Sequence, residues 1–468
     1  MDDFLREIQT SLFREWINNQ KRDYYHLHQS ETDPDAIIIE NEYCYSYVTF
    51  NPQCIIELCV MNKRTDEMAF YLHFQFKTLK HAISLFEEMD QCIKKMIDQP
   101  ICRLLLCCSG GMTTAFFADK IKNGIKVLNL NMEVAATSYQ KIYNVAQNYD
   151  VILLAPQVSY VKLQVEKVFK NKLVLKIPTQ IFASYNVGAL ITFIEESLKH
   201  KENKYNGYVE PLASMMEIKT NKNVLAVSIN ANGENSHISY RLYNSHQDIV
   251  LDSNIIKSNI KLQDVLDALD TVVLQNEMID VISIALPGVM VEGNVYSGII
   301  EGGNHQLKER LEKRYENEIY LINDVNAAVV GYYASQNEYK SLAFLFQPIG
   351  RMAGSGIVVN GQLVRGMDHL AGEVALLPLN LSDAYLTLAN TPEGTLELVT
   401  KNIMSIIAIV APEAIVVYSD LILDSQDVSD EIKKALSQYP LKVYPQIIKV
   451  ENILEYILLG AMILSAKE

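Results

Sequence analysis

Long hydrophobic runs are absent from this chain of 468 residues. No stretch reaches 18 apolar residues, and no basic segment followed by an apolar one stands at the start. A membrane-spanning helix needs about 20 apolar residues, and a secretory signal peptide needs that basic-then-apolar order. We therefore expect neither feature, and we expect the protein to be cytoplasmic.

Cysteine is absent after position 108. The seven cysteines lie in the first quarter of the chain, at positions 44, 54, 59, 92, 102, 107 and 108. Their spacing matches neither a disulfide framework nor a set of zinc ligands. We expect reduced thiols, no metal site and no cofactor.

Basic residues are too scarce for a general nucleic-acid-binding protein. The chain has 41 Lys and Arg residues against 56 Asp and Glu residues, which gives a formal net charge of −15. Nucleic-acid phosphates favour clustered Lys and Arg. Residues 1–100 contain ten basic and seventeen acidic residues, so a DNA-reading winged helix is not expected there. We expect no nucleic-acid partner.

The length suggests three units of ordinary domain size. The first unit combines an amphipathic helix over residues 4–18 with apolar segments between 36 and 76 that are typical of an antiparallel meander. A second helix, capped by Thr78, extends to about Ile97. This pattern predicts a small α+β domain of unknown role.

Cys108 ends an apolar segment, and a short Gly-rich turn and a helix follow it. The backbone N–H groups of such a turn, with the positive end of the next helix, stabilise a thiolate and any phosphoryl group that it accepts. The pattern therefore predicts an anion cradle that holds a nucleophile. The alternative is that Cys107 and Cys108 are two small buried residues at the end of a strand.

Apolar runs and amphipathic segments alternate around this turn, which is typical of a small parallel α/β unit. The predicted elements are strands at 101–108, 124–130 and 150–158 and helices at 113–123 and 138–148. In open parallel sheets, ligands bind beyond the carboxyl ends of the strands. Cys108 and the turn at Pro156 and Gln157 should then lie at one edge of the sheet.

Two specific segments are Cys-Ser-Gly-Gly-Met-Thr-Thr at 108–114 and Leu-Ala-Pro-Gln-Val-Ser-Tyr at 154–160. Through them, residues 100–200 resemble the enzyme IIB subunit of the lactose/cellobiose class of bacterial sugar phosphotransferase systems. In that family the cysteine accepts a phosphoryl group from a histidine of a partner subunit and passes it to a sugar at the membrane permease. The resemblance implies that Cys108 is the phosphocysteine and that the next six residues bind the phosphoryl group. These residues are Ser109, Gly110, Gly111, Met112, Thr113 and Thr114.

The predicted loop favours carrying a phosphoryl group over hydrolysing it. Low-molecular-weight tyrosine phosphatases use a similar cysteine loop, but they have an arginine six residues after the nucleophile, where this chain has Thr114. Backbone donors and hydroxyls hold a phosphoryl group, yet the loop has no cationic clamp and no carboxylic acid. We expect a phosphocysteine here to persist until a partner arrives.

Two apolar strands in the second half of the chain lead to polar residues. One begins at Val281 and runs into Pro287 and Gly288, and the other ends at Asn323 and Asp324. Asp324 also precedes a helical segment. Its carboxylate can therefore either cap that helix or serve as a general base.

Five segments of the second half are distinctive: Ala-Leu-Pro-Gly at 285–288, Asn-Asp-Val-Asn-Ala-Ala at 323–328, the glycine-containing 354–366, Ala-Gly-Glu-Val at 371–374 and Ala-Pro-Glu-Ala-Ile-Val-Val at 411–417. Through these segments, residues 221–468 resemble the ROK family of sugar kinases and sugar-responsive repressors. The resemblance implies two actin-like, RNase H-like α/β lobes around a cleft, and it raises a homodimer as the assembly. It also implies that Asp324 is the residue that deprotonates a sugar hydroxyl, while Asn323 and Glu373 bind the sugar ring.

The chain departs from ROK kinases where those enzymes bind ATP. The Asp-x-Gly-Gly-Thr of the kinases is Ser-Ile-Asn-Ala-Asn at 228–232, the second phosphate loop is rebuilt at 347–356, and the late Gly-Gly is Ser419-Asp420. Larger side chains restrict the approach of backbone to phosphate, and the lost carboxylate removes an aid to magnesium positioning. Leu376 replaces a family histidine, and the cysteines of the structural zinc cluster are missing. We predict a degenerate kinase that still binds a sugar or sugar phosphate.

The functional alternatives belong to two classes. The first is a phosphoryl carrier or sensor of the phosphoenolpyruvate-dependent system, with a histidine-phosphorylated subunit and a sugar permease as partners. The second is a ROK regulator or ATP-dependent sugar kinase in which the IIB-like unit is only regulatory or structural. The ROK-like half could also be a scaffold, with Asp324 as a cap and Glu373 as a solvated carboxylate. The predicted organisation is an α+β domain at 1–98, a parallel-sheet IIB-like domain at 99–200, a linker at 201–220 and a two-lobed ROK-like domain at 221–468.

Overall fold

The computed structural model of the protein describes most of the chain. The described residues are 3–63, 67–97, 102–108, 112–128, 130, 132–146, 149–169, 172–202, 221–232, 235–276, 278–291, 294–301, 307–422, 424–437 and 444–466. Most of the predicted linker at 201–220 lies outside them. None of the helices within these ranges is long and apolar enough to cross a lipid bilayer.

The first part of the chain is an antiparallel meander flanked by two helices. Its elements are α1 (Asp3–Asn18), β1 (His26–Gln29), β2 (Ala36–Glu40), β3 (Cys44–Asn51), β4 (Ile55–Asn62), β5 (Glu67–Gln75) and α2 (Leu79–Ile97). Each strand pairs antiparallel with the next one. Helix α2 buries Ala82, Leu85, Phe86, Met89 and Ile93, which recur every three or four residues and so lie on one face. The predicted α+β architecture is confirmed, with β1 as an additional strand.

The second part is a four-stranded sheet with helices between its strands. Its elements are β6 (Cys102–Cys108), α3 (Met112–Val127), β7 (Met132–Ser138), α4 (Ile142–Val145), β8 (Val151–Leu154), α5 (Lys162–Val168), β9 (Leu173–Lys176), α6 (Thr179–Ser184) and α7 (Val187–Glu202). The strand order is β7-β6-β8-β9, and all pairs are parallel. The predicted small parallel sheet is therefore confirmed.

Three elements of this domain differ from the prediction. The strand expected at 150–158 ends at Leu154, and a 3₁₀ turn covers Pro156–Val161. The strand expected at 124–130 is wrong, because α3 continues through Gly124 and the second strand begins at Met132. Gly124 does not end the helix; it lies where α3 packs against α7, and a Cβ atom there would lie 2.5 Å from Cγ1 of Val187. In the described part of the helix expected at 138–148, which ends at residue 146, the chain forms a 3₁₀ turn and the short α4.

The last part forms two lobes. The first lobe contains β10 (Val224–Asn232), β11 (Asn235–Tyr243), β12 (Ile249–Lys257), β13 (Ile260–Lys261), α8 (Leu262–Gln275), β14 (Val281–Leu286), β15 (Val289–Val291), β16 (Asn294–Tyr296), β17 (Ile300–Glu301), α9 (Leu307–Glu312), β18 (Glu318–Asn323) and α10 (Asp324–Ala334). The second lobe contains β19 (Leu342–Phe346), β20 (Gly354–Val359), β21 (Gln362–Leu363), α11 (Tyr385–Leu388), α12 (Pro392–Val410), β22 (Ala414–Tyr418), α13 (Ser425–Leu436) and β23 (Gln446–Lys449). The final helix, α14 (Leu454–Ala466), packs on α10 and on strands β10 and β14 of the first lobe.

The two lobes repeat one sheet topology. The orders are β12-β11-β10-β14-β18 and β21-β20-β19-β22-β23. In both lobes the first three strands in the chain are antiparallel, and the next two add in parallel beside the first. This arrangement confirms the predicted two-lobed actin-like fold and the α/β class of the chain.

The meander and the first lobe share one sheet of ten strands. Strand β5 lies beside β12, where Tyr71 is opposite Ile256. One hydrophobic core contains Phe74 and Phe86 from the first part together with Ile255 and Leu269 from the first lobe. The parallel-sheet domain is thus inserted in the sequence between two pieces of a single sheet.

Helices α10 and α14 lie against each other at unusually short range. A Cβ atom on Gly331 would lie 2.0 Å from the Tyr456 carbonyl oxygen, and one on Gly460 would lie 1.8 Å from that of Ala327. Only glycine permits this approach. The crossing fixes α10, and with it the position of Asp324 at the start of that helix.

Candidate functional site

Cys108 lies at the carboxyl edge of the small parallel sheet. It is the last residue of β6 and faces Ser138 of β7, while Cys107 pairs with Leu154 of β8. The N–H group of Ala155 donates to the Cys107 carbonyl oxygen at 2.8 Å, which holds the turn after β8 beside the end of β6. This edge is where open parallel sheets bind their ligands.

The loop after Cys108 leads directly into helix α3. Ser109, Gly110 and Gly111 lie outside the described residues. Met112, Thr113 and Thr114 form the first turn of α3, which is 16 residues long. The positive end of a helix therefore follows Cys108 by four residues in the chain.

The two adjacent cysteines are both buried at the end of β6. Cys107 is 0% exposed and Cys108 is 4% exposed, and both contribute to the core of this domain. Burial, together with the neighbouring Cys108, raises the pKa of the Cys107 thiol to about 12. Cys107 therefore stays protonated at neutral pH, and Cys108 is the better candidate for a nucleophile.

Two tyrosines meet across the end of β6. Tyr139 follows β7, and Tyr160 belongs to the 3₁₀ turn that follows β8. Their ring centroids are 6.4 Å apart at an interplanar angle of 57°, and Tyr160 is 74% exposed. Because β6 lies between β7 and β8, this contact spans the edge at which Cys108 ends its strand.

A second candidate site is the cleft between the two lobes, which forms a cavity of about 400 Å³. Its first-lobe lining is Asn230, Ala231, Pro287, Gly288, Ser297, Gly298, Ile299 and Asp324. Its second-lobe lining is Phe346, Pro348, Gly350, Arg351, Met352 and Leu386. The volume is within the range of small-molecule sites.

Asn323 and Asp324 have different roles at the start of α10. The Asn323 Oδ1 atom caps the helix by accepting from the N–H groups of Val325 and Asn326 at 3.1 and 3.0 Å. Its Nδ2 atom donates to the Gly288 carbonyl oxygen at 3.2 Å. The capping role that the sequence left open for Asp324 thus belongs to Asn323, and Asp324 lines the cavity.

The Asp324 carboxylate is in an unfavourable place for a charge. Burial, reinforced by the charge of Glu373, raises its pKa to about 7, although a hydrogen bond from the Val325 N–H group opposes this shift. Burial also raises the pKa of Glu373. The two predicted sugar-site carboxylates are therefore close enough to interact, and Asp324 exchanges a proton near neutral pH.

The loop from Gln347 to Ala353 is held by hydrogen bonds inside the second lobe. Tyr385 donates to Oε1 of Gln347 at 2.8 Å and accepts from the Ala353 N–H group at 3.1 Å. Nε2 of Gln347 donates to the carbonyl oxygens of Pro348 and Arg351, both at 2.9 Å. These bonds occupy donors that a phosphate-binding loop would present to a nucleotide.

One cleft residue and two residues that hold the loop beside the cleft could not be found from the sequence. Arg351 lies in the rebuilt loop, and its charge was the only available sign of a role. Gln347 and Tyr385 are 38 residues apart, and no motif connects them. Only the folded chain brings these side chains to one loop.

The fold and the sites define a chain of two modules, a parallel α/β domain with a cysteine at its ligand-binding edge and a two-lobed domain around a cleft. Residues 103–192 match the family model of the PTS system, Lactose/Cellobiose specific IIB subunit. Residues 233–394 match the model of the ROK family. The chain therefore combines a IIB domain of the lactose/cellobiose class with a ROK-family domain. No curated protein matches the chain.

Several solved structures are similar to parts of the chain. A ROK family protein from Streptococcus pneumoniae TIGR4 in complex with sucrose is 18% identical, with 52% of this chain and 97% of that chain covered and a TM-score of 0.41. A ROK family glucokinase from Streptomyces griseus in complex with glucose and AMPPNP is 14% identical, with 52% and 98% covered and a TM-score of 0.42. The lactose-specific IIB component domain from Streptococcus pneumoniae is 20% identical, with 20% and 96% covered and a TM-score of 0.20.

Proposed function

We propose that the protein is a phosphoryl carrier or sensor of the phosphoenolpyruvate-dependent sugar phosphotransferase system, and that Cys108 accepts the phosphoryl group. The observation that supports this most is the position of Cys108 at the end of β6, within the residues that match the IIB family. Open parallel sheets bind ligands at this edge.

The proposed reaction is a direct transfer from a phosphohistidine of a partner subunit. The Cys108 sulfur attacks phosphorus, the P–N bond breaks and an S–P bond forms, and the thiol proton ends on the released imidazole. The loop at 109–114 would hold the phosphoryl oxygens with backbone N–H groups and the start of α3. Cys107 does not compete, since burial keeps its thiol protonated.

Phosphorylation with radiolabelled phosphoenolpyruvate, the general phosphotransferase enzymes and the cognate histidine subunit tests this proposal. Wild type and Cys107→Ala should become labelled, whereas Cys108→Ala should not. Cys107→Ala is the matched control, because it removes the neighbouring thiol of the same strand. Labelling of Cys108→Ala at the wild-type level would refute the assignment.

The cleft of the ROK domain is proposed to bind a sugar without an efficient ATP site. Asp324 supplies a carboxylate to the cavity and Glu373 lies within electrostatic range of it, while Asn323 anchors the start of α10. The hydrogen bonds of Gln347 and Tyr385 support the pseudokinase interpretation, because they engage the loop that ROK kinases use for phosphate. In this function the cleft reports its ligand to the IIB domain.

An ATP-dependent sugar kinase, or a ROK regulator, is the alternative. The observation in favour of a kinase is the Asp324 carboxylate, whose raised pKa of about 7 suits a general base at neutral pH. A coupled assay for ADP release with Mg-ATP and a panel of sugars distinguishes the two functions. Turnover in wild type that disappears in Asp324→Asn would establish the kinase, whereas absence of turnover with measurable sugar binding fits the pseudokinase.

The remaining partners follow from the IIB assignment. We place the protein in the cytoplasm, where phosphoenolpyruvate starts the phosphoryl relay, and we expect a sugar permease as the downstream acceptor. Transfer of label from Cys108 to sugar in permease-containing membranes favours a carrier, whereas stable label favours a sensor.

Light scattering on the purified chain tests the homodimer that the ROK resemblance raised.

A further inference from the structure

The turn at 350–352 combines a free cationic side chain with free backbone donors. Arg351 is exposed and lines the cleft cavity. Across the described part of the chain, no carboxylate forms an ion pair with its guanidinium group. Likewise, no acceptor among the described residues takes a hydrogen bond from the N–H groups of Arg351 and Met352.

The backbone N–H groups on either side of Arg351 and Met352 do form hydrogen bonds. The Gly350 N–H group donates to the Ala389 carbonyl oxygen at 3.0 Å, and the Ala353 N–H group donates to the Tyr385 hydroxyl at 3.1 Å. Between these two fixed points, the Arg351 and Met352 amides and the guanidinium remain available. Successive free amides and a guanidinium are the donors that proteins use for a phosphate dianion.

The first-lobe side of the cavity has groups that suit sugar hydroxyls. Asp324 and Asn230 belong to the first lobe and line the same cavity. Carboxylate and amide groups bind sugar hydroxyls, because each hydroxyl both donates and accepts. Asp324 and Arg351 do not pair with each other, so neither neutralises the other across the cleft. The cavity lining therefore combines anion-binding donors from the second lobe with hydroxyl-binding groups from the first lobe.

We propose that the cleft binds a sugar phosphate, with the phosphate on Arg351 and the turn amides and the sugar hydroxyls toward Asp324 and Asn230. This inference rests on the proposed sugar-binding function of the cleft and names its ligand class. A sugar phosphate is the product class of phosphotransferase uptake. One chain would then contain both a cysteine that accepts the phosphoryl group and a cleft that binds the sugar phosphate formed by that phosphoryl transfer.

A nucleotide is the competing phosphate ligand, and the fold argues against it. The Ala353 amide and the Gln347 side chain are engaged by neighbouring groups, which leaves only the short 351–352 turn for phosphate. A triphosphate also needs magnesium, and the carboxylate that ROK kinases place on their first hairpin is replaced here by the 228–232 segment, which is free of acidic residues. A single phosphate monoester suits this turn better.

Titration calorimetry on the full chain tests the inference. The probes are glucose, N-acetylglucosamine, lactose and cellobiose, each compared with its 6-phosphate, together with inorganic phosphate and Mg-ATP. At least one phosphorylated sugar should bind about tenfold or more tightly than its parent sugar, the change expected for one charge-assisted hydrogen bond. Arg351→Gln should abolish this preference and leave the affinity for the parent sugar within about twofold. Arg310→Gln, an exposed arginine on α9, is the matched control and should change neither affinity.

The outcomes separate this inference from the proposed function. Equal affinity for each sugar and its phosphate, or an unaltered preference in Arg351→Gln, would overturn the sugar-phosphate site while the sugar-binding cleft stands. Mg-ATP that competes with the sugar phosphate and depends on Arg351 would identify a nucleotide site instead and overturn the inference. No binding of any sugar or sugar phosphate would overturn both the inference and the proposed sugar-binding cleft.

Discussion

The Tyr240 hydroxyl lies 2.8 Å from Nε2 of His73, and this hydrogen bond joins the first lobe to the meander that precedes the IIB domain. Both residues are buried, and burial lowers the pKa of His73 to about 4, so its ring is neutral at pH 7. Lys77 extends the junction through ion pairs with Asp267 and Asp270. Residues 1–97 are thus an integral part of the ROK-type lobe, although more than a hundred residues separate the two in sequence.

The buried ion pair of Lys257 should be a main support of this junction. Lys257 is 2% exposed, and its Nζ atom lies 2.5 Å from Glu88 on α2 and 2.6 Å from Asp264 on α8. Glu88→Ala leaves the buried ammonium with one carboxylate, so we expect the free energy of unfolding to fall by about 2–4 kcal/mol. Urea denaturation followed by fluorescence measures this, because the single tryptophan, Trp16, packs on Phe86 of α2.

The neighbouring residue gives the control for that experiment. Glu87 is exposed on the same helix, so Glu87→Ala should change the free energy of unfolding by no more than about 0.5 kcal/mol. Equal effects of the two substitutions would show that Lys257 does not depend on Glu88.

The sequence was informative where the signal is local. The apolar period of α2 and the alternation of β2 to β5 predicted most of the meander, and the motif at 323–328 located Asp324 in the cleft. The junction was not predictable, because Lys77 and Glu88 pair with residues more than 160 positions away. The same limit applies to Tyr385, whose role depends on a bond to a distant glutamine.

Gly124 shows how a local signal can mislead. The predicted strand began at Gly124, but this glycine lies inside α3 and lets that helix approach α7. Gly124→Ala would place a Cβ atom 2.5 Å from Cγ1 of Val187, and we expect a loss of about 1–3 kcal/mol in the stability of the IIB domain despite the better helix propensity of alanine. Thermal unfolding followed by circular dichroism measures the loss.

Gly188 is the matched control on α7. A Cβ atom there would lie 3.7 Å from Oδ1 of Asn186, which is an ordinary contact. Gly188→Ala should therefore be neutral or stabilise the domain by about 0.5–1 kcal/mol. Stabilisation by both substitutions would mean that the α3–α7 contact is not tight at Gly124.

The contact between Tyr139 and Tyr160 should limit access to Cys108. Because the two rings meet across the end of β6, Tyr160→Ala opens the edge at which Cys108 is only 4% exposed. We expect the rate of alkylation of Cys108 by iodoacetamide to rise several-fold, as measured by peptide mapping of the folded protein. Leu128→Ala, an exposed residue just after α3, is the control and should leave the rate unchanged. The same alkylation rate in wild type, Tyr160→Ala and Leu128→Ala would show that the two tyrosines do not limit access to Cys108.

Asp324 should make the stability of the protein depend on pH in the opposite direction to an ordinary ion-paired carboxylate. Its pKa is raised to about 7 in the folded chain, whereas an unfolded aspartate titrates near about 3.9. Between these values the folded state binds more protons than the unfolded state, so this group lowers stability progressively as pH rises from about 4 to 7. The full cost is present above pH 7, where the buried carboxylate is charged. Asp324→Asn should therefore raise the free energy of unfolding, measured by urea denaturation, by an amount on the order of 2–4 kcal/mol at pH 8.5, and should change it little at pH 4.

The comparison that isolates this effect uses Asp383, which is exposed and accepts a hydrogen bond from the N–H group of Ala384, as Asp324 does from Val325. Asp383→Asn keeps an acceptor in the same local geometry without relieving a buried charge, so its effect should be small at both pH values. If Asp324→Asn gave the same change at pH 4 and pH 8.5, the carboxylate would not titrate in this interval. A role for Asp324 as a general base near neutral pH would then be refuted. The binding of sugar in the cleft would still be tested by calorimetry. A gain confined to high pH would instead mean that the cleft keeps a charged carboxylate at a cost in stability, which is the usual mark of a residue retained for its chemistry.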